Sequence, residues 1–288
     1  MKEFRNNILA IAAVVIALPL QAQTVKINIA NASFTRPLIE TLATEYAKQN
    51  PSFSAEFTSK ADSSDATVDL SEAAVSAGSV VARFVVLPIA NTQSPVLTEK
   101  KVQRGVTAKV SHQLFAQPTT DELIDGEAPK ALPGTVYTLT GKYATTTRLL
   151  ANSLSIDPKE LRGKKILGKE ENAITVVKAR PDAVSVGVAS LVYDPTTRRP
   201  VAGITVLPVD LDGNNRVSDE ERAAAGNLDA LTTILSSVNR PAVPVGDISI
   251  STTNPEVEKF ICWAATDGQD YLSQLGYLRA NPSLIAKK

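Results

Sequence analysis

From Thr24 onward, the apolar positions of the chain follow two alternating patterns: short β-branched runs and stretches with helical spacing. The run VKINIA at 25–30 predicts a strand, and PLIETLATEYAKQN at 37–50 predicts a helix that ends at Pro51. The apolar face of that helix consists of Leu38, Ile39, Leu42 and Tyr46. Further predicted strands lie at 53–59, 67–70, 80–90, 135–141 and 204–209, and further predicted helices at 71–78, within 98–115 and at 145–156. The segment 173–190 is interpreted as a strand, a helix and a turn. Alternating strands and helices predict an α/β fold in which helices flank mixed sheets.

Two predicted strands end in closely similar sequences, VVLPIAN at 85–91 and ITVLPVD at 204–210. We interpret them as the two places where the chain crosses between lobes. On this interpretation the first lobe comprises residues 23–90 and 205–288, and residues 91–204 form an inserted second lobe.

Residues 1–22 have the pattern of a secretory signal peptide. Lys2 and Arg5 precede an apolar run from Ile8 to Leu20, and small or neutral residues follow that suit cleavage after Ala22. The run is shorter than the roughly 20 residues needed to span a bilayer, and no cysteine stands near the cleavage point to carry a lipid. We therefore expect a soluble secreted or periplasmic protein.

Charge and reactive side chains exclude several functions. Without its first 22 residues the chain has 28 basic and 29 acidic residues, so no excess of positive charge favours nucleic acid or an anionic membrane. Cys262 is the single cysteine, which excludes an intramolecular disulfide, and we expect it to be buried. His112 has no second histidine to share a metal and no neighbouring nucleophile pattern, so we interpret it as a surface or interface residue. No catalytic constellation is present in the sequence, and we expect no enzyme activity.

The segment DLDGNNRVSDEE at 210–221 places oxygen ligands at the spacing that Ca²⁺ requires. The predicted ligands at loop positions one, three, five, seven, nine and twelve are Asp210, Asp212, Asn214, the Arg216 carbonyl, Ser218 and Glu221. Asn215 stands where such loops have glycine, and asparagine tolerates the left-handed conformation needed there. A β-branched run enters the loop and a helix is predicted to leave it, which favours a structural calcium site over a sensor. The alternative interpretation is an acidic turn on a solvated surface.

Three stretches carry a resemblance to a known family: IANASFTRPLIETLATEYAKQNPS, LPIANTQSPVLT and FICWAATDGQDYLSQLGYL. On these stretches the chain resembles the substrate-binding proteins of bacterial phosphate ABC transporters, which have the type II periplasmic binding fold. The most specific matches lie in the terminal helix and its Gly-Tyr stop, at Trp263, Gly268, Gln269, Gly276 and Tyr277. The resemblance implies two lobes joined by crossover strands, with an oxyanion held in the cleft between them.

The resemblance also implies which residues contact the anion. The candidate ligand-binding residues are Ser33, Phe34, Thr35, Asp69, Lys142, Thr145, Thr146 and Thr147. The first three occupy the turn where the first lobe offers a hydroxyl and a backbone N–H, and the threonines open a helix of the second lobe. Lys142 stands nearest to the place of the family's arginine, and Asp69 is the candidate acceptor for a protonated oxyanion. Helix N-termini attract such an anion through their free N–H groups. Ordinary N-capping is the alternative role for Ser33 and the threonines.

The leading hypothesis is therefore a monomeric solute-binding protein that closes on phosphate or a related oxyanion and delivers it to the permease of an ABC transporter. The alternative is a degenerate binding-protein fold with a structural calcium loop, which binds another solute or a protein partner.

Overall fold

The computed structural model describes residues 23–60, 63–72, 79–118, 131–141 and 144–281. The predicted signal peptide, Lys142 and most of the predicted helix at 71–78 lie outside the described residues. None of the described helices is long and apolar enough to cross a membrane.

Strands and helices alternate along most of the described chain. The strands are β1 (Gln23–Asn28), β2 (Phe53–Thr58), β3 (Ala66–Ser71), β4 (Ser79–Asn91), β5 (Thr135–Thr140), β6 (Lys164–Leu167), β7 (Ala183–Val188), β8 (Ile204–Val206) and β9 (Val245–Thr252). The helices in the described ranges are α1 (Arg36–Gln49), α2 (Lys100–Arg104), α3 (Ala108–Phe115), α4 (Thr145–Ser153), α5 (Glu170–Ala179), α6 (Ala189–Val192), α7 (Asp219–Gly226), α8 (Leu228–Ser237) and α9 (Pro255–Ala264). A 3-10 turn at Ser33–Thr35 leads into α1, and two more, at Asp267–Tyr271 and Ser273–Leu275, follow α9.

The strands form one mixed sheet in the order β2-β1-β3-β9-β4-β7-β5-β6, and β8 also pairs with β4. β1 is parallel to β2 and β3, and β5 is parallel to β6 and β7. β9 and β4 are antiparallel to their neighbours. Parallel pairs need crossover connections, and α1, α4 and α5 lie in the connections between parallel neighbours.

β4 lies in the middle of this sheet and joins its two parts. Its residues Ser79–Val85 pair with β9, whereas Val86–Ala90 pair with β7. We call β1, β2, β3 and β9 with the first part of β4 sheet half A, and β5 to β8 with its second part sheet half B. Eleven of the thirteen side chains of β4 are buried, as its nearly continuous apolar sequence favours. The boundary between lobes, at 90–91 and 204–205, stays a prediction.

The α1 face predicted from the sequence is confirmed, because Leu38, Ile39, Leu42 and Tyr46 are all buried. The Tyr46 ring lies 4.9 Å from that of Phe53 and 5.6 Å from those of Phe260 and Trp263 on α9. These contacts attach the C-terminal helix to α1 and β2. The end of the helical region at Gly276 is also confirmed, with a left-handed φ of 81° that glycine adopts without strain.

Two predictions were wrong. The β-branched run ITVV at 174–177 lies in helix α5, and the order in 173–190 is helix, turn, strand and helix rather than strand, helix and turn. Ala173, Ile174 and Val177 share one buried helical face, so packing against the sheet outweighs a small difference in propensity. Cys262 is exposed because it points away from the α9 face that carries Ile261 and Trp263.

Candidate functional site

The turn at Ser33–Thr35 offers one side chain for ligand contact. The Phe34 ring is buried 5.3 Å from that of Phe84, and its backbone oxygen accepts a 2.9 Å hydrogen bond from the hydroxyl of Tyr277. The Thr35 hydroxyl donates to the Ala32 carbonyl at 2.7 Å. Ser33 is different, because its hydroxyl points away from its own turn to a distant part of the chain.

The three threonines form the first turn of α4 and all are buried. Ala144 precedes them as N-cap residue and offers no side-chain cap, whereas the Glu170 carboxyl accepts a hydrogen bond from the backbone N–H of Thr146. The Thr145 hydroxyl accepts a 3.0 Å hydrogen bond from Arg148, whereas the Thr147 hydroxyl is buried without a partner in the described part of the chain. Neither the threonines nor Ser33 act as N-caps. The N-terminus of α4 therefore has no cap from its own N-cap residue, and the carboxyl of Glu170 meets one of its first N–H donors.

The start of α5 contacts both the Ser33 turn and the first turn of α4. The Ser33 hydroxyl in half A donates a 2.9 Å hydrogen bond to the Glu171 carboxylate in half B, 138 residues away. Glu170, the first residue of α5, is 3% exposed, and the backbone N–H of Thr146 is close enough to influence its carboxyl. The structure thus brings Ser33 and the start of α4 together around Glu170 and Glu171, which the sequence analysis did not select.

Burial raises the pKa of Glu170 to about 7. The charge of Glu171 contributes to this raised pKa, while the backbone N–H groups of Glu170 and Thr146 and the charge of Arg148 act in the opposite direction. The physical cause is the loss of hydration, which disfavours the ionised carboxylate. A carboxyl of this kind is half protonated near neutral pH and can then donate as well as accept a hydrogen bond.

A second contact between the sheet halves lies beside the first. Glu72, which follows β3, forms an ion pair with Arg148 on α4 and accepts a 2.8 Å hydrogen bond from Asn152. Arg148 also donates to Thr145. This guanidinium is therefore held at the opening turn of α4 by a carboxylate from half A.

Asp69 does not join this group. It lies on β3 opposite Ser249 of β9, and its carboxylate accepts a 3.4 Å hydrogen bond from the Ser251 hydroxyl. Lys142, the candidate cation, is outside the described residues. The sequence signal that could have led to Glu170 and Glu171 is the pair of acidic residues after β6, because acidic side chains favour the first turn of a helix.

The loop at 210–221 has a compact arrangement of carboxylates. Oxygen atoms of Asp210, Asp212 and Glu221 lie within 4.8 Å of one another, and both Asp210 and Glu221 are 4% exposed. The backbone N–H groups of Gly213 and Asn215 donate to Asp210 at 2.7 and 2.8 Å. Asn215 has a φ of 64°, so the expected left-handed conformation is confirmed.

The end of this loop is also fixed by backbone hydrogen bonds. The Glu221 carboxylate accepts from the N–H of Leu211 at 2.6 Å and from that of Ser218 at 2.7 Å, and the Ser218 hydroxyl caps α7 in return. The Asn214 amide contacts Asp212 at 2.9 Å, and its oxygen accepts from the Arg216 N–H. Carboxylate oxygens held in this way keep lone pairs for a hard cation, and burial raises the pKa of Asp210, so a cation would stabilise its charge. The residues fit a calcium ion.

Comparison with known proteins identifies the fold. No protein-family model and no curated protein sequence matches the chain. A protein from Clostridium perfringens assigned as a phosphate ABC transporter substrate-binding protein, solved with bound phosphate, aligns over 90% of this chain and 100% of its own, with a TM-score of 0.56 and 14% identity. The structure of a full-length BenM mutant aligns over 92% of this chain and 72% of its own, with a TM-score of 0.50 and 13% identity. The chain therefore has the two-lobed α/β fold of the type II periplasmic binding proteins.

Proposed function

We propose that this protein is a secreted or periplasmic solute-binding protein that binds phosphate or a related oxyanion and delivers it to the permease of an ABC transporter. The observation that supports this most is the start of α4, which has no cap from its own N-cap residue and which the Glu170–Glu171 pair links to Ser33 of the other sheet half. The fold, which is that of solute-binding proteins, supports the proposal, because two lobes joined by strands can close on a ligand.

The helix end supplies the chemistry that an oxyanion needs. The N-cap residue of α4 offers no side-chain cap to its first N–H groups, and the buried hydroxyl of Thr147 has no partner in the described chain. A helix N-terminus carries partial positive charge, and a hydrogen bond to an ionised ligand contributes about 1.5–3 kcal/mol. Ser33 would donate to the same ligand from half A, so binding would favour the closed arrangement of the lobes.

The two glutamates restrict which oxyanion fits. An ionised carboxylate repels a fully ionised ligand, but it accepts a hydrogen bond from a ligand that carries a proton. We assign this acceptor role to Glu170 and Glu171 in place of Asp69, which contacts Ser251. The site should therefore favour phosphate, which keeps a proton at neutral pH, over sulfate.

Titration calorimetry of the purified protein with phosphate and with sulfate tests the proposal. We expect phosphate to bind at least about tenfold more tightly than sulfate, and Thr147→Val to weaken phosphate by roughly ten- to a hundredfold through the loss of one donor. Thr44→Val, an exposed threonine on α1, is the matched control and should leave affinity unchanged. No measurable heat with millimolar phosphate would refute the oxyanion proposal.

A second candidate function is a calcium-stabilised binding module for another solute or a protein partner. Its support is the loop at 210–221, where two nearly fully buried carboxylates lie close to a third. We propose that Ca²⁺ binds there as a structural ion. Melting temperatures measured with calcium and with a chelator test this proposal, because an ion that binds the folded state raises the melting temperature. Equal values under the two conditions would exclude the site.

A further inference from the structure

Three buried oxygen atoms around the start of α5 lack hydrogen-bond partners in the described residues: Thr147 Oγ1, Glu170 Oε1 and Glu171 Oε2. Thr147 is 4% exposed and Glu170 3%, so bulk solvent does not reach these side chains. Unpaired buried polar atoms are rare in folded proteins, and these three call for a partner outside the described residues. Two of the three atoms belong to carboxyl groups, which points to a partner that donates hydrogen bonds.

Within the described residues, no cation forms an ion pair with these two carboxyl groups. Among the ion pairs of the described residues none involves Glu170 or Glu171, and the nearby Arg148 is already paired with Glu72. Buried carboxylates are normally paired with a positive charge or protonated. The start of α5 therefore places two carboxyl groups directly beside the first turn of α4, whose N–H groups favour an anion.

We propose that the ligand of the cleft is a zwitterion, an oxyanion that also carries a protonated amine. This inference rests on the proposed function, because the oxyanion would occupy the start of α4. The ammonium would contact Glu170 and Glu171.

The hydrogen bond from Ser33 to Glu171 shows how such a ligand fits between the sheet halves. In the structure this hydroxyl donates directly to the carboxylate at 2.9 Å. A zwitterion replaces that one bond by two: Ser33 donates to the oxyanion, and the ammonium donates to Glu171. An oxyanion without an amine or a proton would accept the hydrogen bond of the Ser33 hydroxyl. The Glu171 carboxylate would then have a second buried oxygen without a partner, which disfavours binding of such an oxyanion. An ammonium has three N–H donors, enough for both carboxyl groups.

Two pairs of ligands that differ in the amine test the proposal by calorimetry at pH 7.5. They are 2-aminoethylphosphonate with ethylphosphonate, and β-alanine with propionate, and the second pair tells whether the anionic group is a carboxylate. We expect the amine to tighten binding at least about tenfold in one of the pairs, because a charge-assisted hydrogen bond in a buried site is among the strong ones.

Variants assign the effect to the glutamates. In Glu171→Gln and Glu170→Gln we expect the advantage of the amine to fall to less than about threefold. Glu258→Gln, an exposed glutamate on α9, should keep the full advantage. The comparison of the ligand pairs on the wild-type protein needs no variant, so it tests the zwitterion proposal even if a substitution impairs folding.

The outcomes separate this inference from the proposed function. Equal or tighter binding of the amine-free ligands by the wild-type protein would overturn the zwitterion and leave a simple oxyanion as ligand. An amine advantage that survives in both glutamine variants would also overturn the assignment. Binding of none of the four ligands or of phosphate at millimolar concentration would refute the proposed function itself.

Discussion

The buried carboxyl of Glu170 predicts a specific dependence of stability on pH. Its pKa is raised from the ordinary value of 4.5 to about 7, so the folded protein holds this proton more tightly than the unfolded chain. Below about pH 4.5 the group is neutral in both states and folding carries no penalty. As the pH rises from 4.5 to 7, the unfolded chain ionises first, and the free energy of unfolding falls by about 1.4 kcal/mol per pH unit. Above pH 7 the full penalty of about 3 kcal/mol is present.

The substitution Glu170→Gln removes this penalty with little change in side-chain volume. Glu170 is only 3% exposed, so solvent screens its charge little. We expect the difference in unfolding free energy, variant minus wild type, to be about 2–3 kcal/mol larger at pH 8 than at pH 5. Other titrating groups contribute equally to both proteins and cancel in this difference.

Urea unfolding followed by circular dichroism at the two pH values, without ligand, measures the effect. A constant difference between variant and wild type at pH 5 and pH 8 would refute the reasoning, because only the titration of Glu170 makes it vary. Glu258→Gln on the exposed face of α9 is the matched control and should give the same difference at both values.

Three further predictions concern the calcium loop, the contact between the sheet halves and the core. Glu221→Ala should abolish any rise in melting temperature on addition of calcium, since the bidentate ligand is lost; a preserved rise would contradict the proposed loop. Ser33→Ala should lower the free energy of unfolding by about 1–2 kcal/mol at pH 8 by leaving the Glu171 carboxylate without its donor. In a double-mutant cycle with Glu171→Ala the two effects should not add, whereas additive effects would show that the hydrogen bond contributes nothing. Gly246→Ala should lower stability by about 1–3 kcal/mol, because a Cβ at this position would overlap the Phe84 ring; unchanged urea unfolding would show that the ring can move.

Local sequence patterns determined much of the fold. Helix α1 could be predicted with its buried face, since the spacing of Leu38, Leu42 and Tyr46 leaves few alternatives. The left-handed conformation of Asn215 could be expected from the oxygen spacing around it. Such features depend on residues a few positions apart, and neighbouring residues set their conformation.

Only the tertiary structure decided which residues meet at the candidate site. Ser33 and Glu171 are 138 residues apart, and no periodicity links them. Dependence on distant contacts also explains the wrong prediction at 174–177, where packing against the sheet favours a helix in a β-branched run. The sequence by itself determined the α/β pattern and the oxygen spacing of the loop at 210–221. The folded chain decided that two glutamates without an ion-pair partner in the described residues meet the first turn of α4, because burial and charge pairing depend on which distant segments pack together.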